Sequence, residues 1–483
     1  MNRFYLSTLL WLALCMHGAL PVHSQLPDFD IETIRTNLPL AMDSADVPGL
    51  SLSWLQEAEI YSEAFGFRDI QNQQLVSSST IFEAASLSKP VLAYLTLRLV
   101  DKGKLHLDVP IVQIVPKEHL EKEFFKGEYP GRIFDLVTPR MLLTHSVGFP
   151  NWRQRQQAIK LAFKPGDRFQ YSGEGFMLLQ IVLEHISQKS LERLARTYVF
   201  DPLDMDMTGY VYQAEIHSQV ATGYTSSMEP KSLHTYTTPA AAYSLLSTPS
   251  DYIRFMQAIM QGKGLKNETH QDMLRLQRFV KEEGDESYYW GLGIGLVETK
   301  YGKAVWHWGD NGPFKCFVIG FPEKEKAVVF FTNSQNGLSV GDHVLDKGYN
   351  YKSNLFSYLG YDQYPSAIFQ IPRILSKQKS YPTSRALFDL FAIKKDPNEV
   401  FPEGRMQRLG YRYLQKGEVE AARTIFELNL LAHPESWNAY DSLAEAYAQL
   451  GNKDRAIQLY RESLKRNPAN KNGKKMLMRL TGN

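Results

Sequence analysis

Cysteine is almost missing from this chain: Cys15 and Cys316 are the two present. Neither a disulfide framework nor a paired-cysteine metal site can be built from them. Net charge is nearly absent too, and a formal +2 over 483 residues points neither to a nucleic-acid partner nor to a strongly acidic substrate. Past the N-terminus no apolar run is long enough to span a membrane. The histidines are scattered, with no His-Glu-x-x-His pattern, and no glycine-rich phosphate loop follows a strand. Neither a metal nor a cofactor is expected.

What is present has the texture of an ordinary globular protein, 43% hydrophobic and 22% charged, long enough for two or more domains. The N-terminus stands apart. Arg3 precedes the apolar run Phe4 to Met16, and Val22 and Ser24 are small residues suited to a cut before Gln25. Residues 1–24 read as a secretory signal peptide, with a short N-terminal anchor as the alternative. Cleavage would leave Cys316 alone, so no internal disulfide is expected in a secreted or periplasmic product.

Residues 25–361 carry strands at both ends and helices between. Leu50, Leu52 and Trp54 alternate with serines, the period of a half-buried strand. Leu87 to Asp101 reads as an apolar helix ended by Gly103, Met177 to Ile186 as another, and Asp251 to Met260 as a third capped by Ser250. From 286 to 335 the residues turn β-branched and aromatic. One sheet closed by the two ends of this region is the expected α/β layout. Residues 362–400 are rich in Pro, Ser and Lys and read as a linker. In 401–483 a repeat appears: Leu409, Tyr413, Gly417, Ala422, Phe426 and Pro434 recur 34 residues later as Leu443, Tyr447, Gly451, Ala456, Tyr460 and Pro468. That period, at turn and packing positions, resembles tetratricopeptide repeats. Two repeats are expected, with 470–480 as a capping helix and a protein or peptide as a possible partner. The basic residues of that end read as a solvated face.

The chemistry centres on Ser86 and Lys89. At i and i+3 on a helix the lysine can reach the serine hydroxyl, and a desolvated lysine gives up its proton near neutrality. Pro90 is tolerated in a first helical turn, so Ser86 would open the helix, where backbone N–H groups favour an oxyanion. The spacing alone is weak, since Ser376 and Lys379 repeat it in the expected linker. Two further stretches could join it. Tyr171 offers a phenol that, near a lysine ammonium, can share its proton and act as base. His307-Trp-Gly309, opening an expected edge strand, offers an imidazole and backbone donors.

Taken in order, Phe82-Glu-Ala-Ala-Ser-Leu-Ser-Lys89, Leu142-Leu-Thr-His-Ser-Val-Gly148, Phe169-Gln-Tyr-Ser-Gly-Glu-Gly175, Phe200-Asp-Pro-Leu203 and His307-Trp-Gly309 resemble the serine β-lactamase and penicillin-binding-protein family. The resemblance spans roughly 28–360 and is strongest to the class C-like branch that includes D-amino-acid peptidases and esterases. It implies an α/β (α+β) fold with an antiparallel sheet flanked by helices, beside a helical lobe, with the serine at their junction. It also implies Ser86 as nucleophile, Lys89 and Tyr171 as proton carriers, and oxyanion donors at Ser86 and near Asp310. His307, Gly309 and Asp310 would line the substrate site.

Two positions depart from the family wording. Gly173 stands where an asparagine is usual, so an amide contact is missing unless Glu174 or another group supplies it. His307 stands where a lysine commonly binds a substrate carboxylate, and neutral imidazole grips that group less firmly. The expected function is a secreted or periplasmic serine hydrolase for a small ester, amide or peptide, esterase- or D-amino-acid-peptidase-like, with weak β-lactam turnover at most. The alternative is a catalytically inactive binding or scaffold protein acting through its repeats.

Overall fold

The computed structural model describes residues 24–482 apart from 128, 155–157, 218, 233 and 378–381. Residues 1–23, on which the signal-peptide reading rests, and Lys379 lie outside the described residues.

Helix α1 (Ile31–Ala45) leads into strands β1 (Gly49–Gln56), β2 (Glu59–Asp69) and β3 (Gln74–Leu75). Then come β4 (Phe82–Ala85), helix α2 (Ser88–Asp101), helices α3 (Pro139–Leu143) and α4 (Gly173–Ser187), strand β5 (Leu245–Ser247) and helix α5 (Pro249–Gln261). Strands β6 (Arg278–Glu283), β7 (Glu286–Trp290), β8 (Gly295–Thr299), β9 (Gly302–Asp310), β10 (Lys315–Phe321) and β11 (Lys326–Thr332) follow, then helix α6 (Gly341–Tyr349). Among the described residues the main sheet runs β3-β2-β1-β11-β10-β9-β8-β7-β6, antiparallel throughout. Leu50 pairs with Thr332 and Trp54 with Val328, so the two ends of the region meet in the middle of the sheet.

Both faces are covered. Leu50, Leu52 and Trp54 pack with Ile34, Leu38 and Val344 from α1 and α6. The opposite face carries Cys316, Val318, Val329 and Phe331 against α5 and the helical lobe formed with α2 and α4. Strand β1 is therefore buried on both sides rather than half-buried. Ser51 and Ser53 lie inside because they are small, and the Ser53 and Ser62 hydroxyls share a 2.7 Å hydrogen bond. Helix α2 is largely apolar and buried from Ser88 to Leu97, and its last turn, with Arg98 and Asp101, reaches the surface. The cap of α5 is Thr248, not Ser250: Asp251 N donates to Thr248 Oγ1 at 3.1 Å, and Pro249 opens the helix.

The stretch 362–400 is not a free tether. It forms helices α7 (Ala367–Lys377) and α8 (Ser384–Ala392). Ile368, Ile371 and Leu375 make an i, i+3, i+7 stripe that the Pro, Ser and Lys content obscured. That stripe is buried with Leu387, Met406, Leu409 and Ile425. Arg373 and Lys377 both reach Asp46 at the end of α1, which fixes α7 on the sheet domain.

Beyond it, helices α9 (Glu403–Gln415) and α10 (Val419–Ala432), then α11 (Trp437–Gln449) and α12 (Lys453–Arg466), form two hairpins, and α13 (Lys471–Thr481) closes the stack. Gly417 and Gly451 both sit at φ +79°, which explains why each turn keeps glycine. A Cβ at Gly410 would lie 2.3 Å from the Phe426 ring, so a bare backbone is what lets α9 and α10 meet. Ile371 packs α7 onto this unit, while Arg373 and Lys377 hold α7 to the sheet domain. Replacing Ile371 with Ala should cost about 2–4 kcal/mol. Chemical denaturation followed by tryptophan fluorescence checks this, and an unchanged midpoint would contradict the packed junction.

Candidate active site

Ser86 follows the end of β4 and precedes α2 by two residues. Ala85 takes a positive φ of 50°, rare for a non-glycine residue, and turns the chain sharply into the serine. The turn is held by Ser88 Oγ, which donates to Ala85 O at 2.6 Å and accepts from Leu245 N at 3.0 Å. Ser86 keeps part of its surface in solvent. Pro90 falls in the first turn of α2, where no N–H is needed.

Lys89 is completely buried. Its Nζ lies 2.9 Å from Ser86 Oγ and donates to Ala242 O at 2.8 Å. Burial pulls the amine down to about 7. The Tyr171 ring stands 5.0 Å from the same Nζ. Burial raises the Tyr171 phenol above its ordinary value, against a lowering pull from the Ser86 hydroxyl. Its oxygen is buried and meets hydrogen-bond geometry with no described group. Lys89, Ser86 and Tyr171 thus form one cluster of an amine ready to be neutral, an accessible hydroxyl and a neutral phenol.

His145 completes the mounting of Tyr171. Its ring lies 4.4 Å from the Tyr171 ring, and its Nδ1 accepts from Ser172 N at 3.1 Å. Burial, reinforced by Lys89 and His307, keeps it well below the usual histidine value. The sequence signal for His145 was the Leu-Thr-His-Ser wording, from which no role could be read. Nothing in the sequence marked Ala242, whose contribution is a carbonyl.

His307, Gly309 and Asp310 lie in β9, which is an interior strand rather than an edge. Its pairing with β8 stops at Trp306, while pairing with β10 continues to Asp310. The last four residues therefore have one free side. Gly309 presses there against β4, the strand that leads to Ser86, since a Cβ would fall 2.5 Å from Ala84 O and 3.2 Å from Ala85 Cβ. Asn311 Nδ2 donates to Glu83 Oε2 at 2.7 Å, which ties the two strand ends together. His307 itself is fully buried, its Nδ1 2.8 Å from Trp308 O, and desolvation pushes it down to about 3. It is a neutral group packed near Tyr171 and Trp290, and it does not present its ring to solvent. The Asp310 carboxylate is pinned by Lys315, by Gly312 N at 2.8 Å and by Tyr361 Oη at 2.6 Å. A cavity of about 770 Å³ lined by Arg140, His270, Asp272 and Arg275 contains none of these groups, so size does not locate the site.

Gly173 is explained by its neighbour. A Cβ at 173 would meet Trp152 Cη2 at 2.6 Å and Cζ2 at 2.7 Å. The Trp152 indole, 46% exposed and edge-on to Tyr243 at 5.7 Å, occupies the space beside Gly173. Glu174 does not substitute for the missing amide, because Arg153 binds it through its backbone N at 3.0 Å and its guanidinium at 2.6 Å.

A serine at a strained strand end, with a buried amine against it at the junction of sheet and helical lobe, is the arrangement of a serine acyl-transfer site. The chain belongs to the β-lactamase family: that family's model matches residues 34–346, and a tetratricopeptide-repeat model matches 437–470. Its relatives include Protein flp of Staphylococcus aureus (strain N315), 22% identical over 318 residues, which are 60% of this chain and 61% of that protein. Penicillin-binding protein 4* of Bacillus subtilis (strain 168) is 23% identical over 59% of this chain and 69% of its own. The chain thus matches under two thirds of the length of Protein flp. Among solved structures it is similar to the octameric penicillin-binding protein homologue from Pyrococcus abyssi, with a TM-score of 0.56, 23% identity and coverage of 73% and 82%. A class C β-lactamase gives a TM-score of 0.55, 22% identity and coverage of 65% and 95%. At these identities the structural likeness carries the fold.

The Trp152–Gly173 contact predicts a strongly non-additive pair. Gly173→Asn alone should destabilise by about 1–3 kcal/mol through overpacking. In a Trp152→Ala background most of that cost should vanish. A thermal-melt double-mutant cycle measures the coupling, and additive effects would contradict the contact.

Proposed function

We propose that this chain is a serine hydrolase acting outside the cytoplasm, forming an acyl-enzyme on Ser86 from a small ester or amide of the esterase or D-amino-acid-peptidase kind. One observation carries the reading: a fully buried Lys89 amine, which burial pulls down to about 7, lies 2.9 Å from the hydroxyl of the partly exposed Ser86. Ser86 Oγ attacks the substrate carbonyl carbon while its proton passes to the Lys89 lone pair. Negative charge gathers on the carbonyl oxygen, for which the Ser86 and Asp310 N–H groups are the assigned donors. The proton then moves to the leaving group, with the neutral Tyr171 phenol as the relay, and water releases the acyl group. Tyr171 does not serve as the base, because burial holds its proton more tightly.

The surroundings favour substrates other than penicillins. Trp152 fills the space beside Gly173, His307 is buried and uncharged, and Lys315 is engaged by Asp310. No free cation among these groups meets a substrate carboxylate, and the Asp310 charge disfavours one nearby. Neutral short-chain esters or amine-terminated peptides fit better.

Replacing Ser86 with Ala should lower turnover by at least about a thousandfold while the melting temperature stays near that of the parent. Retained hydrolysis would sink the assignment. Across a panel of a p-nitrophenyl ester, a D-alanyl peptide and a chromogenic cephalosporin, the cephalosporin should be the poorest, and rapid cephalosporin turnover would reverse the substrate reading.

The pH dependence follows from Lys89. Its protonated form cannot accept the serine proton, so kcat/KM should rise about tenfold per pH unit below about 7 and level off above it. Folding tracks the same group. An unfolded lysine keeps its proton to about pH 10.4, and the folded one releases it near 7, so the folded state binds fewer protons in that window and gains stability as pH rises. A flat rate profile from pH 5 to 9 would contradict Lys89 as the base.

A further inference from the structure

Helix α9 turns Arg405, Arg408 and Arg412 into one cavity of about 560 Å³, faced by Asp362 and Ile368 from the chain leaving the sheet domain. The positions i, i+3 and i+7 put the three guanidinium groups on one helix face. Arg405 is engaged, its Nη1 donating to Asp362 at 2.8 Å. Arg408 and Arg412 are exposed, and neither makes a hydrogen bond or ion pair among the described residues. A second cavity, about 510 Å³, shares Asp362, Ile368 and Arg412 and continues past Phe369, Pro372 and Leu409. Together they make a groove along the junction of the two units in which arginines and apolar side chains outnumber the two carboxylates, Asp362 and Glu418. Lone surface arginines mean little, but two unpaired guanidinium groups beside a third, over an apolar floor, form a complement for carboxylates on an extended chain.

The groove is also wired to the Ser86 site. Asp362, the partner of Arg405, directly follows Tyr361, whose hydroxyl holds Asp310 at 2.6 Å. Asp310 ends β9 next to Gly309, the residue in contact with Ala84 and Ala85 beside Ser86. A carboxylate entering the groove competes with Asp362 for Arg405. Once Asp362 is released, residues 360–363 lose one anchor and Tyr361 holds Asp310 less firmly.

We propose that this arginine-lined groove binds an acidic extended peptide segment, and that its occupation loosens the end of β9 through Asp362 and Tyr361. The test uses the full chain and a fluorescein-labelled hexapeptide alternating glutamate and phenylalanine, with glutamine in place of glutamate as the control. By fluorescence anisotropy the glutamate peptide should bind at least about tenfold tighter than the control, and raised salt should narrow the gap. Arg408→Glu with Arg412→Glu should abolish that difference. Equal affinity for the two peptides, or unchanged affinity in the double variant, would overturn the groove. The relay is read without any turnover, by amide hydrogen exchange over residues 307–312. Saturating glutamate peptide should speed exchange there at least about threefold in the parent and leave it unchanged in Tyr361→Phe. Binding with no change in exchange, or an equal change in Tyr361→Phe, would overturn the relay.

Discussion

A lysine amine sealed from water beside a serine hydroxyl is the constraint from which the rest of this structure follows. A charged ammonium in such a place is costly, and the cost is met by giving the proton up. That requires a dry enclosure with few fixed partners, and Lys89 has the Ser86 hydroxyl and the Ala242 carbonyl. Helix α2 supplies the enclosure because its first ten residues are buried, with Val91, Leu92 and Leu95 fully so between sheet and lobe. Strand β9 supplies the opposite wall, and Gly309 allows it to lie against Ala84. His145, Trp290 and His307 pack around Tyr171 and keep its hydroxyl out of bulk water.

Around this cluster the groups that would line a substrate site are arranged in an individual way. An indole occupies the space a side chain at 173 would need, a buried neutral imidazole stands in the strand facing the serine, and a carboxylate at 310 is held by a lysine and a tyrosine. That tyrosine directly precedes the segment running to the helical repeats, so the end of β9 lies close in the chain to the start of that segment. Residues 362–400 form that segment. Their buried isoleucines pack on the repeat helices, and Arg373 and Lys377 tie the same helix to Asp46 of the sheet domain.

Much of this was legible in the residues. Ser86, Lys89, Tyr171 and His307 were selected from local spacing and ordered wording, and the chain brings them within one cluster. A sheet closed by its two ends followed from strand-like texture on either side of a helical stretch, and its antiparallel pairing from the family resemblance. The 34-residue period exposed the repeats because turn glycines and packing positions recur at fixed places. What escaped notice depended on distance in the chain. Trp152 explains Gly173 from 21 positions away in sequence, Ala242 contributes through a carbonyl that no residue type announces, and Tyr361 reaches Asp310 across 51 positions. The helices of 362–400 escaped because Pro, Ser and Lys counts masked a three-residue apolar stripe. His307 was placed at a substrate-facing edge because sequence shows strand texture but not where pairing with a neighbour stops.

The account stands or falls on Ser86 being the group that the buried amine activates. Treating the full chain with a fluorophosphonate at pH 8, followed by intact-mass measurement and peptide mapping, tests that most directly. The prediction is one adduct per chain, on the peptide containing Ser86, forming far more slowly in a Lys89→Met variant that keeps the fold. An adduct on any other residue, no adduct at all, or equal labelling rates in the two proteins would contradict it.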